Sequence, residues 1–265
     1  VMCGKQEVMK TTTESIDIRA KFLADFEMLE SRLNGESSTP LHAIRRDAIE
    51  QFGVLGFPTI RNEEWKYTNV QPFVRNSFSV AGNRKTTLTR DDIQPFLFHE
   101  DGDFVLVFVN GVFSAELSFL PEVQGGIVVD HFAAAQQQYG TIFRDHFAQH
   151  ADYRSDAFTA LSTAFALDGA FVYVPDGRIL DKTVHVVLIA DARQDNVFVQ
   201  PRNLVVMGKN SSAKIVESWG VIGENLGFLN TVTEMFLDEN ARGEYYKAQD
   251  TPGQSSYVGT LQVHQ

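Results

Sequence analysis

VVMGKNSSAKI (205–215) and MFLDENARGEY (235–245) lie over one another without a gap, at an offset of 235 − 205 = 30 residues that sets Asn210 over Asn240 and Ile215 over Tyr245. Both belong to a series of strand-like runs: FVYV (171–174), VHVVLIA (184–190), NLVVMG (203–208), KIVESW (214–219), TVTEMFL (231–237), GEYYKAQ (243–249) and SYVGTLQVHQ (256–265). Each has strand length, is rich in β-branched and apolar residues, and is bounded by turn residues with no helix-period segment between. A repeat of this length signals an array of similar units, each needing a neighbour to bury its apolar face. The sequence therefore predicts a β core over 158–265 built from stacked rungs. The end rungs carry unpaired backbone and must be capped or joined to another chain.

Upstream, DFVLVFVNGVFSAEL (103–117) places Asn110-Gly111 between two apolar segments, the strongest short-range hairpin signal. Ile127 to Asp130 reads as a further strand, Thr141–His150 and Asp156–Leu167 as helices, and Gly169 as the stop of the last one. Nearer the start, Phe22, Phe26, Leu29 and Leu33 share one face of a helix over 15–33, with Asn34-Gly35 ending it. A second helix begins with Ser38 or Thr39 as cap and Pro40 in its first turn, carries Leu41, Ile44, Ala48 and Phe52 on one side, and is expected to end at Gly53. The two should form a helical hairpin. Leu55 to Ile60 is an extended, Pro-constrained entry to RNEEWKYTNV (61–70), where Trp65 and Tyr67 are expected to staple this region to the β core rather than dock a partner. Residues 14–157 thus form a mixed α+β region rich in helix. Residues 1–13 stand outside the fold, with Met9-Lys10 an alternative start.

Composition narrows the function classes. A chain of 265 residues buries roughly 70–75% of its unfolded surface, so neither disulfides nor metal are needed for stability. Its single cysteine, Cys3, rules out an internal disulfide framework or a thiolate cage and suits a reducing compartment, the cytoplasm. The formal charge of −11, with no basic run interleaved with aromatics, argues against nucleic acid or an anionic membrane as partner. No apolar run reaches the roughly 18–20 residues of a membrane span, and the first residues lack a secretory h-region.

Five stretches in order carry a family resemblance: PTIRNEEWKYTNVQPF (58–73), FVNGVFSAELS (108–118), FTALSTAFALDGAFVYVPDGRILDKTVHVV (158–187), QPRNLVVMGKNSSAKIVESW (200–219) and NTVTEMFLDENARGEYYKAQ (230–249). Together they resemble the SufD family of iron–sulfur cluster assembly scaffold proteins, within the SufB/SufD superfamily. The Glu-Glu-Trp-Lys-Tyr-Thr segment favours SufD over SufB. The resemblance implies an N-terminal helical region, a right-handed parallel β-helix core and C-terminal helices, of which the first two are represented here. In the family the β-helix pairs with that of SufB to form the surface on which a nascent iron–sulfur cluster is built. The C-terminal helices dock the ATPase SufC, which binds ATP. A SufD residue associated with assembly lies later in the core, in a part expected to be missing, so the resemblance assigns no catalytic, cofactor-binding or metal-binding residue here. Gln265 falls inside an apparent strand, which suggests a truncated chain whose free edge self-associates, with a homodimer as one outcome.

His146 and His150 are four apart on an expected helix and could share a metal, but Phe147 stands where H-E-x-x-H needs glutamate. A third ligand is also required, and His131 is the nearest in sequence; ordinary packing is the preferred reading. His185 and His264 lie in expected strands, where a neutral imidazole finds a backbone partner. Gly208-Lys209 is no phosphate loop, because Asn210 replaces the required Ser or Thr. Asn210-Ser211-Ser212 is a formal glycosylation sequon of no expected use. Asp168, Asp176 and Asp181 are the carboxylates a β-helix polysaccharide lyase or hydrolase could exploit, though they flank turns where Asp is common. A non-enzymatic scaffold is the preferred function, and a polysaccharide lyase or hydrolase the alternative.

Overall fold

A computed structural model describes residues 18–33, 39–80, 86–249 and 255–265. The expectations for residues 1–13, including Cys3, for Asn34-Gly35 and for Ser38 lie outside these residues. In chain order the elements are α1 (Ile18–Glu30), α2 (Pro40–Leu55), α3 (Gln71–Val74), β1 (Ser79–Val80), α4 (Arg90–Ile93), β2 (Phe104–Val109), β3 (Val112–Phe113) and β4 (Val128–His131). There follow α5 (Phe132–Gln138), α6 (Gly140–His146), α7 (Ala157–Phe165), β5 (Ala170–Val174), β6 (Val184–Asp191), β7 (Val197–Val199) and β8 (Arg202–Met207). The last elements are β9 (Ser212–Ile222), β10 (Gly227–Leu237), β11 (Arg242–Gln249) and β12 (Ser256–His264).

From β5 onward the chain passes back and forth between two sheets. β5, β7, β8, β10 and β12 enter one, and β6, β9 and β11 the other, in which β2 and β3 also lie. Apart from the β2–β3 hairpin and the β4–β5 pair, the strand pairs are parallel. The 30-residue offset in the sequence is the register of this stack: Met235 lies opposite Val205 and Tyr245 opposite Ile215. Asn210 and Asn240 occupy matching corners with φ of 53° and 58°, a left-handed conformation that asparagine tolerates better than most residues. The same offset stacks opposite charges on neighbouring turns and strands, with Lys209–Glu239 at 3.4 Å between turns and Lys214–Glu244 at 3.9 Å and Lys247–Glu217 at 3.4 Å between β9 and β11.

Parallel sheets need both faces covered, and the burial shows how this is met. Val172, Val205, Leu229 and Met235 of the first sheet meet Val186, Leu188, Ile215 and Trp219 of the second in one core. The outer face of the first sheet, with Phe171, Phe198, Leu204 and Phe228, packs under α1, α2 and α5 to α7 through Phe22, Phe52, Phe132 and Phe158. The outer face of the second is covered by Leu88, Ile93, Phe96 and Leu117. The result is a mixed α/β structure rich in parallel strands.

Several expectations need correcting. α2 runs through Gly53 to Leu55 and ends at Gly56, whose φ of 62° takes the left-handed turn. Thr39 caps its start by accepting from the His42 N–H. α7 ends at Phe165, so Gly169 is not its stop. A Cβ at Gly169 would collide with the Arg202 carbonyl, and close backbone approach explains the glycine. α6 stops at His146, and Ala148 with φ 59° breaks the helix before His150. Trp65 packs on Phe158 at 4.9 Å, whereas Tyr67 is 92% exposed and staples nothing. β7 was not legible as a strand because Pro201, which has no N–H, separates it from β8; β10 pairs with both.

Candidate functional site

β11 and β12 form the exposed end of the stack. Among the described residues β11 pairs only with β9, and β12 only with β10. The burial of β11 is mostly exposed along its length. Behind these strands, between the sheets, lies a polar cluster around Glu217. In KIVESW the two-residue period puts Ile215, Glu217 and Trp219 on one face, so the carboxylate points into the inter-sheet core and is fully buried.

Four strands supply its partners. Glu217 Oε2 accepts from the Tyr245 hydroxyl, from Asn203 Nδ2 at 3.2 Å and from the Thr233 hydroxyl at 3.2 Å. Oε1 accepts from the Tyr257 hydroxyl at 3.3 Å and faces Lys247 Nζ at 3.4 Å. The Tyr257 ring lies flat on Trp219, centroids 3.9 Å apart. Burial, then the Glu217 charge, pushes both tyrosine hydroxyls well above the ordinary phenol range. They remain protonated donors. Glu217 has one cation and hydroxyl donors around it rather than a second carboxylate, so it has no partner for acid–base catalysis by a carboxylate pair. The arrangement fixes the registers of β8 to β12 against one another. Composition alone gave no pointer to it; the alternation of β9 is the signal that exposes Glu217.

A second buried ion pair joins the sheet to the helical layer. Arg202 on β8 and Glu234 on β10 meet at 3.0 Å with both side chains wholly buried. Glu234 also accepts the backbone N–H groups of Ala148, His150 and Ala151 at 2.8, 2.9 and 2.8 Å. Burial raises its pKa, but Arg202 and these three donors outweigh it and hold the carboxyl below its usual value.

The histidines fall into separate settings. His131 Nδ1 meets Asp168 at 3.0 Å, and its ring stacks on Phe113 at 4.3 Å. Burial lowers its pKa, but Asp168 more than compensates, so it stays raised. Asp168 also accepts from the Phe132 and Gly169 N–H groups, tying β4, α7 and β5 together. His185 is buried; its Nδ1 accepts from the Phe98 N–H at 3.4 Å, so Nε2 carries the proton and donates to Ser218 Oγ at 2.8 Å. Ser218 in turn donates to the Phe96 carbonyl at 2.7 Å. That polarity leaves His185 unable to activate Ser218 as a nucleophile. His146 and His150 do approach one another, at 3.3 Å, but the third imidazole beside them is His264 and not His131. Among the described residues no three His, Cys, Asp or Glu groups converge on one point. Asp176 accepts from the Lys209 N–H at a turn between strands, and Asp181 is exposed.

Parallel strands advancing by about thirty residues, with a helical layer over one sheet, define a class that the comparisons identify. Residues 16–186 match the SufBD protein N-terminal region, and residues 188–265 match the SufBD core domain of the SUF iron–sulfur cluster assembly system. The chain belongs to the SufB/SufD family and is SufD-like within it. It is 28% identical over 244 residues to an iron–sulfur cluster assembly SufBD family protein of Synechocystis, covering 89% of this chain and 53% of that one. It is 23% identical over 225 residues to the iron–sulfur cluster assembly protein SufD of Bacillus subtilis, covering 82% of this chain and 50% of that one. The chain therefore spans about half the length of the curated relatives it matches. Among the described residues no helix is long and apolar enough to cross a membrane.

Proposed function

We propose that this protein is a cytoplasmic, non-catalytic scaffold subunit for iron–sulfur cluster assembly. Its alternating parallel sheets are read as a parallel β-helix, which pairs with the core of a SufB-like paralogue. ATP is bound and hydrolysed by a SufC-like partner, and the iron–sulfur cluster is cargo of the assembled complex. The observation that carries this reading is the fixed thirty-residue advance of parallel strands between two sheets. Rigid rungs held in register by buried pairs suit the transmission of a partner's motion. The polysaccharide lyase or hydrolase alternative finds less support, since Asp168 and Asp176 are engaged in holding backbone N–H groups.

Co-expression of the full-length protein with SufB-like and SufC-like partners tests the proposal. A ternary complex on size exclusion and an altered ATPase rate are expected. Elution of the protein alone, with the partner ATPase unchanged, overturns it.

A further inference from the structure

Between the sheets, Trp219 and Tyr257 touch face to face, and the scaffold role uses the chemistry of neither ring. Trp219 is 1% exposed, and its Nε1 is buried without a hydrogen-bond partner among the described residues. The Tyr257 hydroxyl is the opposite case. It meets Glu217 Oε1 at 3.3 Å, Thr231 Oγ1 at 2.9 Å and Lys247 Nζ at 3.2 Å. An indole with nowhere to send its proton thus lies in van der Waals contact with a phenol that has a carboxylate to receive one.

We propose that Trp219, Tyr257 and Glu217 form a site that takes up an oxidising equivalent: the electron vacancy enters at Trp219 and passes to Tyr257 as the Tyr257 hydroxyl proton moves to Glu217. Each step balances. A one-electron oxidant removes one electron from Trp219 and is reduced by it, leaving an indole cation radical. Tyr257 then gives one electron to Trp219, which restores the neutral indole, and the O–H bond breaks with its proton going to Glu217 Oε1. The products are a neutral tyrosyl radical and a glutamic acid. The oxidants that fit are radicals of the kind ferrous iron makes from peroxide. That source rests on the scaffold reading, whereas the chemistry of the three residues does not.

The geometry fixes the direction of transfer. A phenol is easier to oxidise than an indole only when its proton leaves with the electron, and here the acceptor is already in place. Burial, then the Glu217 charge, raises the pKa of Tyr257, so the phenol enters the reaction protonated and must lose electron and proton together. Glu217 is held from its other side by Tyr245, Asn203 and Thr233, so no rearrangement is needed for it to take the proton. Lys247 at 3.4 Å from Oε1 keeps a positive charge beside the carboxylate. The absence of an acceptor at Trp219 Nε1 among the described residues leaves the proton on the oxidised indole, so the vacancy is not trapped there as a neutral indolyl radical.

Trp65→Phe leaves Trp219 as the one tryptophan, so a laser pulse absorbed by tryptophan alone ionises that ring, with hexaamminecobalt(III) taking up the ejected electron. Transient absorption should show the indole cation radical giving way to the sharp tyrosyl band, and more slowly in heavy water. Adding Tyr257→Phe should abolish that band and lengthen the life of the indole radical at least about tenfold. Glu217→Gln keeps an oxygen for the Tyr257 hydroxyl but is a far weaker proton acceptor, and should slow the transfer at least about tenfold. Tyr246→Phe, at an exposed tyrosine, should change neither band nor rate. Variants are judged only with wild-type near-ultraviolet circular dichroism. A tyrosyl band that survives Tyr257→Phe, an unchanged rate in Glu217→Gln, or equal rates in ordinary and heavy water each overturns the proposal. The solvent comparison needs no substitution at Glu217, so it decides the proton step even where Glu217→Gln does not fold. Neither result touches the scaffold reading.

Discussion

Tyr257 on β12 lies against Trp219 on β9 with ring planes 11° from parallel and centroids 3.9 Å apart, so the last strand of one sheet is clamped to the facing sheet. The Tyr257 hydroxyl also reaches Glu217, Thr231 and Lys247. Tyr257→Ala removes the stack and one donor to a buried carboxylate, and is expected to cost about 2–4 kcal/mol. Trp65→Phe provides a background in which Trp219 is the one remaining tryptophan. Urea unfolding followed by Trp219 emission should then show a lower midpoint and a red-shifted native spectrum. An unshifted spectrum would mean that the ring does not shield Trp219 in solution.

The Arg202–Glu234 pair and the Lys214–Glu244 pair look alike as charge partners, but burial separates them. Arg202 donates to Glu234 and to the Thr163 hydroxyl at 2.5 Å inside the protein, so Arg202→Met strands a carboxylate away from water and should cost roughly 3–5 kcal/mol. Lys214 and Glu244 are both about half exposed, and Lys214→Ala is expected to cost less than about 1 kcal/mol. Comparable losses in chemical denaturation would contradict this ranking.

What could be read from the sequence follows the range of the physics involved. The thirty-residue offset was visible because the corners at Asn210 and Asn240 demand the same left-handed backbone, and because apolar alternation marks each strand locally. The Asn110-Gly111 hairpin was visible for the same reason, with φ of 52° and 77° at its turn. The Glu217 cluster was not, since its partners come from residues 14 to 40 positions away that only stacking brings together. Likewise the third imidazole expected beside His146 and His150 is His131, which lies close along the chain. The stack instead brings His264 across from β12. Sequence distance is a poor guide wherever a third partner arrives through winding.

Two glycines make opposite demands. A methyl group at Gly169 would run into the Arg202 backbone carbonyl, and neither backbone can yield without breaking the sheet. Gly169→Ala is expected to destabilise by more than about 3 kcal/mol or to prevent soluble expression. At Gly53, within α2, the added carbon would meet Leu23 side-chain atoms at 3.6 and 3.9 Å, ordinary contact distances. Gly53→Ala should therefore stabilise by about 0.5–1 kcal/mol through helix propensity. Thermal melts of the two variants should move in opposite directions.

His185 supplies a pH dependence whose sign follows from its burial. Desolvation, reinforced by His99 and opposed by Asp103, lowers its pKa to about 4, while in the unfolded chain it titrates near 6.5. Between these values the unfolded state binds the extra proton, so stability is complete above about pH 6.5 and drains away as pH falls towards 4. At pH 4.5 the loss from this one group is roughly 2–3 kcal/mol. His185→Gln keeps a donor for Ser218 and removes the titration. Other groups titrate alike in both proteins, so the difference between them isolates His185. Urea unfolding at pH 7.5 and 4.5 should show the wild type losing about 2–3 kcal/mol more than the variant over that interval. Equal losses would mean that His185 is protonated, or reached by water, in the folded protein, and that the Phe98–His185–Ser218–Phe96 chain of hydrogen bonds does not hold the imidazole neutral.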